Sequence, residues 1–111
     1  MKLQLTLAII LFSLSKFACA TSVATSISEI MVDRSHGEKA FIALKINPSD
    51  AGCGVNGSWR FVLDISDGIG KALYTNLLTL YATGKSARFT GSDLCTRVHT
   101  GIEELTRIEL L

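Results

Sequence analysis

Few residue groups in this sequence could do chemistry, and each departs from a known site pattern. Gly84-Lys85-Ser86 has the letters that end a phosphate-binding loop, but Thr79 stands where that motif needs its first glycine. The motif also opens a helix, where free N–H groups face the phosphate, whereas this glycine is expected to close one. The sequence therefore predicts no nucleotide site and no cofactor.

A short acidic and histidine-containing segment raises the possibility of a metal site. Asp33, His36 and Glu38 lie close together in sequence, and His99 could join them only if the fold brought it there. Metal sites in proteins need three or four convergent ligands, whereas polar side chains in a short turn normally face solvent. The interpretation favoured here is a solvated turn, and no metal is predicted.

Catalysis is not indicated either. The two histidines, His36 and His99, both fall in turn-like contexts, and neither a G-x-S-x-G elbow nor an HExxH helix is present. Glu103 and Glu104 are adjacent, so on a strand they point to opposite faces and cannot work as a carboxylate pair. The sequence predicts that the protein is not an enzyme.

Four residues are weak candidates for ligand binding. Trp59 follows a glycine-rich loop; it is either a core residue that covers a cystine or a stacking surface for a sugar ring. In that loop Asn56 begins the N-glycosylation pattern Asn56-Gly57-Ser58. Arg97 and His99 lie in a second loop. A ligand surface, if present, is expected on the strand face and these two loops, 47–58 and 94–101.

The first twenty residues have the layout of a secretory signal peptide. A cation at Lys2 precedes an apolar run over 3–14, and small residues end the segment at Ala18-Cys19-Ala20. The run is too short for a typical transmembrane helix, which needs about 20 residues. We expect cleavage after Ala20, a single domain over residues 21–111, and a secreted or periplasmic protein without a membrane span.

Cleavage would leave two cysteines, Cys53 and Cys95. An even pair in a short exported chain predicts a disulfide, since those compartments are oxidising. Two unpaired buried thiols are the alternative, and a metal pair is less favoured because no further cysteine or histidine cluster accompanies them. A lipid anchor on Cys19 is disfavoured because Lys16 stands where such signals usually carry an aliphatic residue.

The charge balance bears on partners. The full chain has 11 basic and 10 acidic residues, and loss of Lys2 and Lys16 would leave it close to neutral. Such a chain has no field strong enough to gather nucleic acid or an anionic membrane. Neither is predicted as a partner.

Hydrophobic periodicity and turn residues predict five strands and one helix. The helix has apolar positions at Ile69, Leu73, Leu77 and Leu80, with oxygen from Ser66-Asp67 to cap its start and Gly84 to end it. The last segment could also be a helix by composition. The predicted strands are Thr21–Asp33, Lys39–Ile46, Trp59–Ile65, Ser86–Thr90 and Glu103–Leu111.

In the predicted central strand, Trp59–Ile65, large apolar residues occupy every second position. This pattern places Trp59, Phe61, Leu63 and Ile65 on one face, and it places Arg60, Val62 and Asp64 on the other. The element order β-β-β-α-β-β is that of a small five-stranded OB-like barrel with a helix plugging one end. An open antiparallel sheet with the helix packed across it is the alternative.

The stretch from Cys53 to Leu111 resembles a group of short, exported, uncharacterised bacterial proteins. Their pattern is matched here by the helix "GKALYTNLL", the cap Thr83-Gly84-Lys85, a five-residue strand and a second cysteine at Cys95. More remotely, the layout is similar to the OB-fold B subunits of bacterial toxins with five B subunits, whose ring binds cell-surface glycans. The resemblance implies a non-enzymatic module that binds a glycan or a protein. The alternative is a structural protein that forms a homo-oligomeric ring through helix or edge-strand contacts.

Overall fold

The computed structural model of the 111-residue chain describes residues 21–46, 53 and 58–111. The predicted signal peptide and the candidate Asn56 lie outside the described residues. A short 3₁₀ turn spans Arg34–His36. The other described elements, in chain order, are β1 (Ser22–Thr25), β2 (Ile27–Val32), β3 (Lys39–Leu44), β4 (Phe61–Asp64), α1 (Gly68–Thr83), β5 (Ala87–Gly91) and β6 (Glu103–Leu110).

The six strands form one sheet in the order β1-β5-β6-β4-β3-β2. The pair β4–β6 is parallel, and the other neighbours are antiparallel. A parallel pair requires a crossover, which α1 and β5 supply, and it excludes a purely antiparallel sheet. β1 and β2 stand at opposite ends of this order but are joined through Ser26 alone, so the sheet curls into a half-barrel.

The prediction of a mainly β protein with one helix is confirmed, but the count of five strands is wrong. The segment predicted as one strand, Thr21–Asp33, is two strands: β1 pairs with β5, and β2 pairs with β3. The pairing register shifts between Ile27 and Glu29, which marks an irregularity where the chain changes partners. A run rich in β-branched residues predicts extended backbone but not such a change.

The helix follows its predicted caps. The Asp67 carboxylate accepts a hydrogen bond from Gly70 N–H at 2.7 Å, and Gly84 adopts the left-handed conformation with φ 70°. Leu77 and Leu80 are buried as expected. Ile69, predicted to face the core, is instead 75% exposed. Gly70 takes the sheet-facing position of the first turn, where a Cβ would overlap the Asp64 carbonyl oxygen.

The interior of the half-barrel holds the main apolar cluster. Both the strands and the helix supply its buried members: Ile27, Ala40, Ile42, Leu44, Phe61, Leu63, Leu77, Leu80, Ala87, Phe89 and Leu105. A smaller outer cluster covers the other face of β3 and β4. Its buried members are Phe41, Val62 and Ile102, with Met31, Trp59 and Val98 packed around them. Both faces of these two strands are therefore buried.

Two sequence predictions about individual segments have opposite outcomes. The last segment is a strand, because β6 pairs with both β4 and β5, and the helical alternative is wrong. The placement of Trp59 on the Phe61 face is also wrong, since Trp59 packs with Phe41 and Val62 in the outer cluster. The strand begins at Phe61, so the strand alternation does not fix the direction of the Trp59 side chain.

Candidate functional site

Aromatic rings meet above the outer cluster. The ring of Phe41 lies 5.0 Å from His99, 5.2 Å from His36 and 5.9 Å from Trp59, measured between centroids. The two imidazoles also contact each other edge to face at 5.5 Å. Edge-to-face packing at these distances is favourable for aromatic pairs. The fold thus joins two histidines that lie 63 positions apart in the sequence.

The 3₁₀ turn before β3 positions His36. The Asp33 carboxylate accepts hydrogen bonds from both the N–H and the hydroxyl of Ser35, each at 2.9 Å, and Gly37 leaves the turn at φ 83°. The Ser35 bonds stabilise the charged carboxylate and hold the pKa of Asp33 below 3.8. Asp33 is therefore a turn cap, and the prediction of a polar turn is confirmed for this residue.

His99 is positioned by the segment between β5 and β6. Gly101 N–H donates to the Cys95 carbonyl at 2.7 Å, and Ile102 N–H donates to the His99 carbonyl at 3.3 Å. Cys95 is itself joined to Cys53 by the predicted disulfide. A compact turn tied to a cystine therefore holds His99 against β3.

A groove of about 340 Å³ runs beside the two imidazoles. Its walls come from the 3₁₀ turn, the start of β3, the end of β4 and the segment before β6. The lining residues are His36, Gly37, Glu38, Lys39, Asp64, Ser66, Arg97 and Val98. Four of them are charged, two of each sign, so the groove offers both donors and acceptors.

The charged side chains of the groove are partly engaged. The Lys39 ammonium lies 3.4 Å from His99 Nδ1. Asp64 accepts bonds from the N–H and the hydroxyl of Ser66, at 2.9 Å and 2.6 Å. Those bonds, with the positive charges of Arg97 and Lys39, hold the pKa of Asp64 below 3.8. Asp64 is therefore an ionised acceptor at neutral pH.

His99 has the least favourable surroundings for a positive charge. Its partial burial, and then the nearby Lys39 and His36, lower the pKa of the imidazole below 6.5. Because an ammonium group can only donate, Nδ1 accepts from Lys39 and the proton of the neutral ring sits on Nε2. His99 is therefore a neutral, oriented ring at physiological pH.

A second charged group lies inside the half-barrel, and sequence reasoning missed it. The guanidinium of Arg60 donates to Glu103 at 3.0 Å, and both side chains are buried. Arg60 also stacks over the ring of Phe61, 4.5 Å from its centroid. Strand alternation predicted Arg60 on the opposite face, yet Arg60 precedes the first residue of β4 and turns inward to its partner.

The buried carboxylate organises the chain around it. Glu103 accepts a further hydrogen bond from Asp93 N–H at 2.9 Å, and Asp93 adopts φ 67° to make it. Gly91 lies so close that a Cβ there would overlap the Glu103 carboxylate and the Phe61 ring. Arg60 Nε has no hydrogen-bond partner among the residues the structure describes. This buried pair fixes the turn that leads to Cys95 and presents no free group to solvent.

The structure brings together three of the four candidate ligand residues. Arg97 lines the groove, whereas His99, from the same segment, and Trp59 both pack on the Phe41 ring. Asn56 lies outside the described residues. Sequence reasoning favoured a solvated turn for His36 and missed Lys39 and Asp64. No spacing in the sequence signals that His36 and Lys39 meet His99. Glu103 and Glu104 do point to opposite faces, since Glu103 pairs with Arg60 inside and Glu104 with Arg97 outside.

The groove has the chemistry of a recognition site. Over residues 21–46, 53 and 58–111, no cluster of three or more histidine, cysteine or acidic side chains could hold a metal ion. The hydroxyl of Ser66 bonds to Asp64, so no imidazole takes its proton. What the groove does offer is two cations, two carboxylates and one imidazole ring in one concave surface.

Comparison of the chain with protein-family models, with curated proteins and with solved structures found no match. The resemblance to toxin B subunits therefore stays a prediction. Within the described part of the chain, every helix is too short or too polar to cross a membrane.

Proposed function

We propose that this chain is an exported, non-enzymatic binding module whose ligand surface is the groove between His36 and Arg97. The groove is the observation that carries the proposal. It gathers charged side chains and the His36 ring from four separate parts of the chain. Of the sequence-based candidates, Arg97 lines it and His99 contacts two of its lining residues, His36 and Lys39.

A glycan is the ligand class that this groove fits best. Sugar hydroxyls both donate and accept hydrogen bonds, and the groove supplies donors at Lys39 and Arg97 and an ionised acceptor at Asp64. The imidazole ring of His36 adds a flat surface to the groove wall. Charge-assisted hydrogen bonds of this kind are stronger than neutral ones.

The curled sheet supports an OB-like barrel as the finer description of the fold. If β1 and β2 are counted as the two halves of one bent strand, the order of elements is the predicted β-β-β-α-β-β. Barrels of this type use strand faces and loops to bind oligosaccharides and oligonucleotides. The near-neutral charge favours the former ligand here.

A glycan array printed with neutral and acidic oligosaccharides tests the proposal. We expect the wild-type protein to be captured by at least one glycan and Arg97→Ala to bind about tenfold more weakly, since a hydrogen bond to a charged group is worth about 1.5 to 3 kcal/mol. Arg107→Ala is the matched control, because Arg107 is similarly exposed but lies on β6 and does not line the groove. Absence of any capture would overturn the glycan proposal, and equal capture of Arg97→Ala would move the site elsewhere.

Export is part of the proposal and has its own support. A disulfide joins Cys53 and Cys95, and such bonds persist in oxidising compartments. We propose that residues 1–20 are a signal peptide and that the mature protein is secreted or periplasmic. Intact-mass analysis of expressed material should give a chain that begins at Thr21 with two hydrogens fewer than the reduced form. A chain retaining residues 1–20 would contradict this.

A second candidate function is assembly into a homo-oligomeric ring. Leu78 and Tyr81 lie on one flank of α1 and are 44% and 52% exposed, with the half-buried Tyr74 beside them. The occupant of this flank would be α1 of a second copy, in the manner of a pore-lining helix. Light scattering tests it: a ring should appear for the wild type and disappear in Leu78→Lys, whereas a monomer at high concentration would rule out the ring.

A further inference from the structure

Segment 95–101 is held by the cystine at Cys95, by Val98 on the outer cluster and by one titratable ring, that of His99. His99 packs on Phe41 with 5.0 Å between centroids, touches His36 at 5.5 Å and accepts a hydrogen bond from Lys39 at 3.4 Å. The same segment carries Arg97, which forms the opposite wall of the groove. The protonation state of a single side chain can therefore influence how the groove is held together.

The bond from Lys39 exists only while His99 is neutral. Nδ1 must present a lone pair to the ammonium group, and a proton on Nδ1 removes that acceptor. Protonation would also leave two positive charges about 3.4 Å apart, with the ring of His36 close by. The attraction that closes the segment thus turns into repulsion.

Charged groups face this site from every element packed around it. His36 and Glu38 come from the turn before β3, Lys39 from β3 and Asp64 from the end of β4. On the other side, Arg97 of the segment lies 3.7 Å from Glu104 of β6.

Two of the three carboxylates in this set already have other partners. Asp64 is occupied by Ser66 and Glu104 by Arg97, whereas Glu38 lines the groove. The charges that act on His99 are those of Lys39 and His36, and both oppose its protonation.

We propose that His99 is an acid-sensitive latch: the neutral ring holds segment 95–101 on β3, and the protonated ring releases the segment and opens the groove between Lys39 and Arg97. The latch goes beyond the binding function and does not depend on it, because it acts in the free protein. Its working range is the mildly acidic region below the ordinary imidazole value of 6.5.

The sign of the effect follows from linkage. The latched state holds the His99 pKa below 6.5, so it binds the proton more weakly than the released state. Its stabilising contribution is complete above pH 6.5 and declines as the pH falls through the lowered pKa. The equilibrium constant for release should rise by the ratio of the two proton dissociation constants of His99, that of the latched state over that of the released state. NMR titration can supply this ratio.

The test is an NMR titration of the unliganded protein between pH 7.5 and 5. Imidazole proton shifts give the pKa of His99. Amide hydrogen exchange of Gly101 and Ile102 reports whether the turn that carries His99 opens once the segment is released, since both amides donate to carbonyls within that turn. The Gly84 amide at the end of α1 serves as an internal control. Fluorescence of Trp59, the sole tryptophan, gives a second signal because its ring packs on Phe41.

Three variants separate the latch from a general effect of acid. Lys39→Met should move the His99 pKa up toward 6.5 and reduce the acid response, whereas Lys45→Met, an exposed control just beyond β3, should change neither. His99→Phe keeps a ring on Phe41 without a proton site, so its exchange protection at Gly101 and Ile102 should not change with pH.

The proposal stands if wild-type protection at Gly101 and Ile102 falls in acid by the factor that the measured pKa shift sets, while Gly84 is unaffected. It is overturned if His99 titrates at 6.5 and Lys39→Met leaves it there. It is equally overturned if protection stays constant in the wild type, or if His99→Phe loses protection in acid as the wild type does.

Discussion

Two arginine–glutamate pairs made by consecutive residues of β6 have opposite surroundings. Glu103 points into the half-barrel and meets Arg60 at 3.0 Å, with side chains 0% and 6% exposed. Glu104 points outward and lies 3.7 Å from Arg97, whose side chain is 68% exposed. The residue types are the same, and the pleat of one strand separates them.

The difference shows which charges hold the fold and which are free to bind. The inner pair, Arg60 and Glu103, is buried and contacts protein groups in place of water. Removing either side chain would therefore leave the other as a buried, uncompensated charge. In the outer pair Glu104 is 13% exposed but Arg97 is in solvent contact, and an ion pair with such an exposed partner is worth about 0.2 to 1 kcal/mol. Arg97 can therefore change partner at little cost, as a ligand-binding side chain must.

The largest expected effect comes from breaking the inner pair. Arg60→Met leaves the Glu103 carboxylate buried without its cation, and we expect a loss of about 3 to 5 kcal/mol in the free energy of unfolding, measured by urea denaturation. The double variant Arg60→Met/Glu103→Leu is the control, because it replaces the pair by apolar groups and should recover most of that loss. A single variant as stable as the wild type would show that the pair is not structural.

The disulfide is expected to matter slightly less. Cys53→Ser/Cys95→Ser releases a loop whose ends are 42 residues apart, for which loop-closure entropy predicts a loss of about 4 kcal/mol before residual structure reduces it. We expect about 3 kcal/mol by the same denaturation experiment. The wild type under reducing conditions should be as stable as the variant. If the variant is instead as stable as the oxidised wild type, the disulfide adds nothing to the stability that the inner pair already provides.

The groove carboxylate Asp64 should give a smaller, pH-dependent effect. The pKa of Asp64 is lowered in the folded state, so its contribution to stability is present above pH 3.8 and is lost as the pH falls through the lowered value. Asp64→Asn should flatten that part of the acid denaturation curve. Asp67→Asn, which changes the carboxylate at the helix cap, is the comparison variant. An unchanged curve would mean that the Ser66 bonds add no stability.

The smallest effect on stability is expected at the outer pair. Arg97→Met should change the free energy of unfolding by no more than about 0.5 kcal/mol, because surface substitutions rarely do more. The same variant should lose glycan capture. A stability loss comparable to that of Arg60→Met would erase the distinction between the two pairs and make Arg97 part of the scaffold.

Much of the fold could be predicted because its signals are local. The helix obeys its caps, with Asp67 before the first turn and Gly84 in the left-handed conformation after the last. Of the three cysteines, the two that lie beyond the predicted signal peptide form the bond that the structure contains. The alternation of residues along the sequence locates β3 and β4. It did not reveal that both faces of these strands are buried, because an alternating pattern normally indicates that one face is exposed to solvent.

The site could not be predicted, because it depends on contacts between distant segments. His36 and His99 each look like ordinary turn residues, and the edge-to-face contact between them appears only once the segment before β6 folds over Phe41. Arg60 and Glu103 are 43 positions apart, and a charged residue beside a strand normally predicts solvent exposure. The bend between β1 and β2 likewise depends on which strands pair.

The central claim is that ligands meet this protein at the groove and not at the inner pair or the helix flank. Amide shift mapping of ¹⁵N-labelled protein, titrated with the same neutral and acidic oligosaccharides, tests it most directly. We predict perturbations clustered at His36, Lys39, Arg97 and His99, with the amides around Glu103 unmoved. Perturbations centred on Leu78 and Tyr81, or none at saturating concentrations, would contradict it.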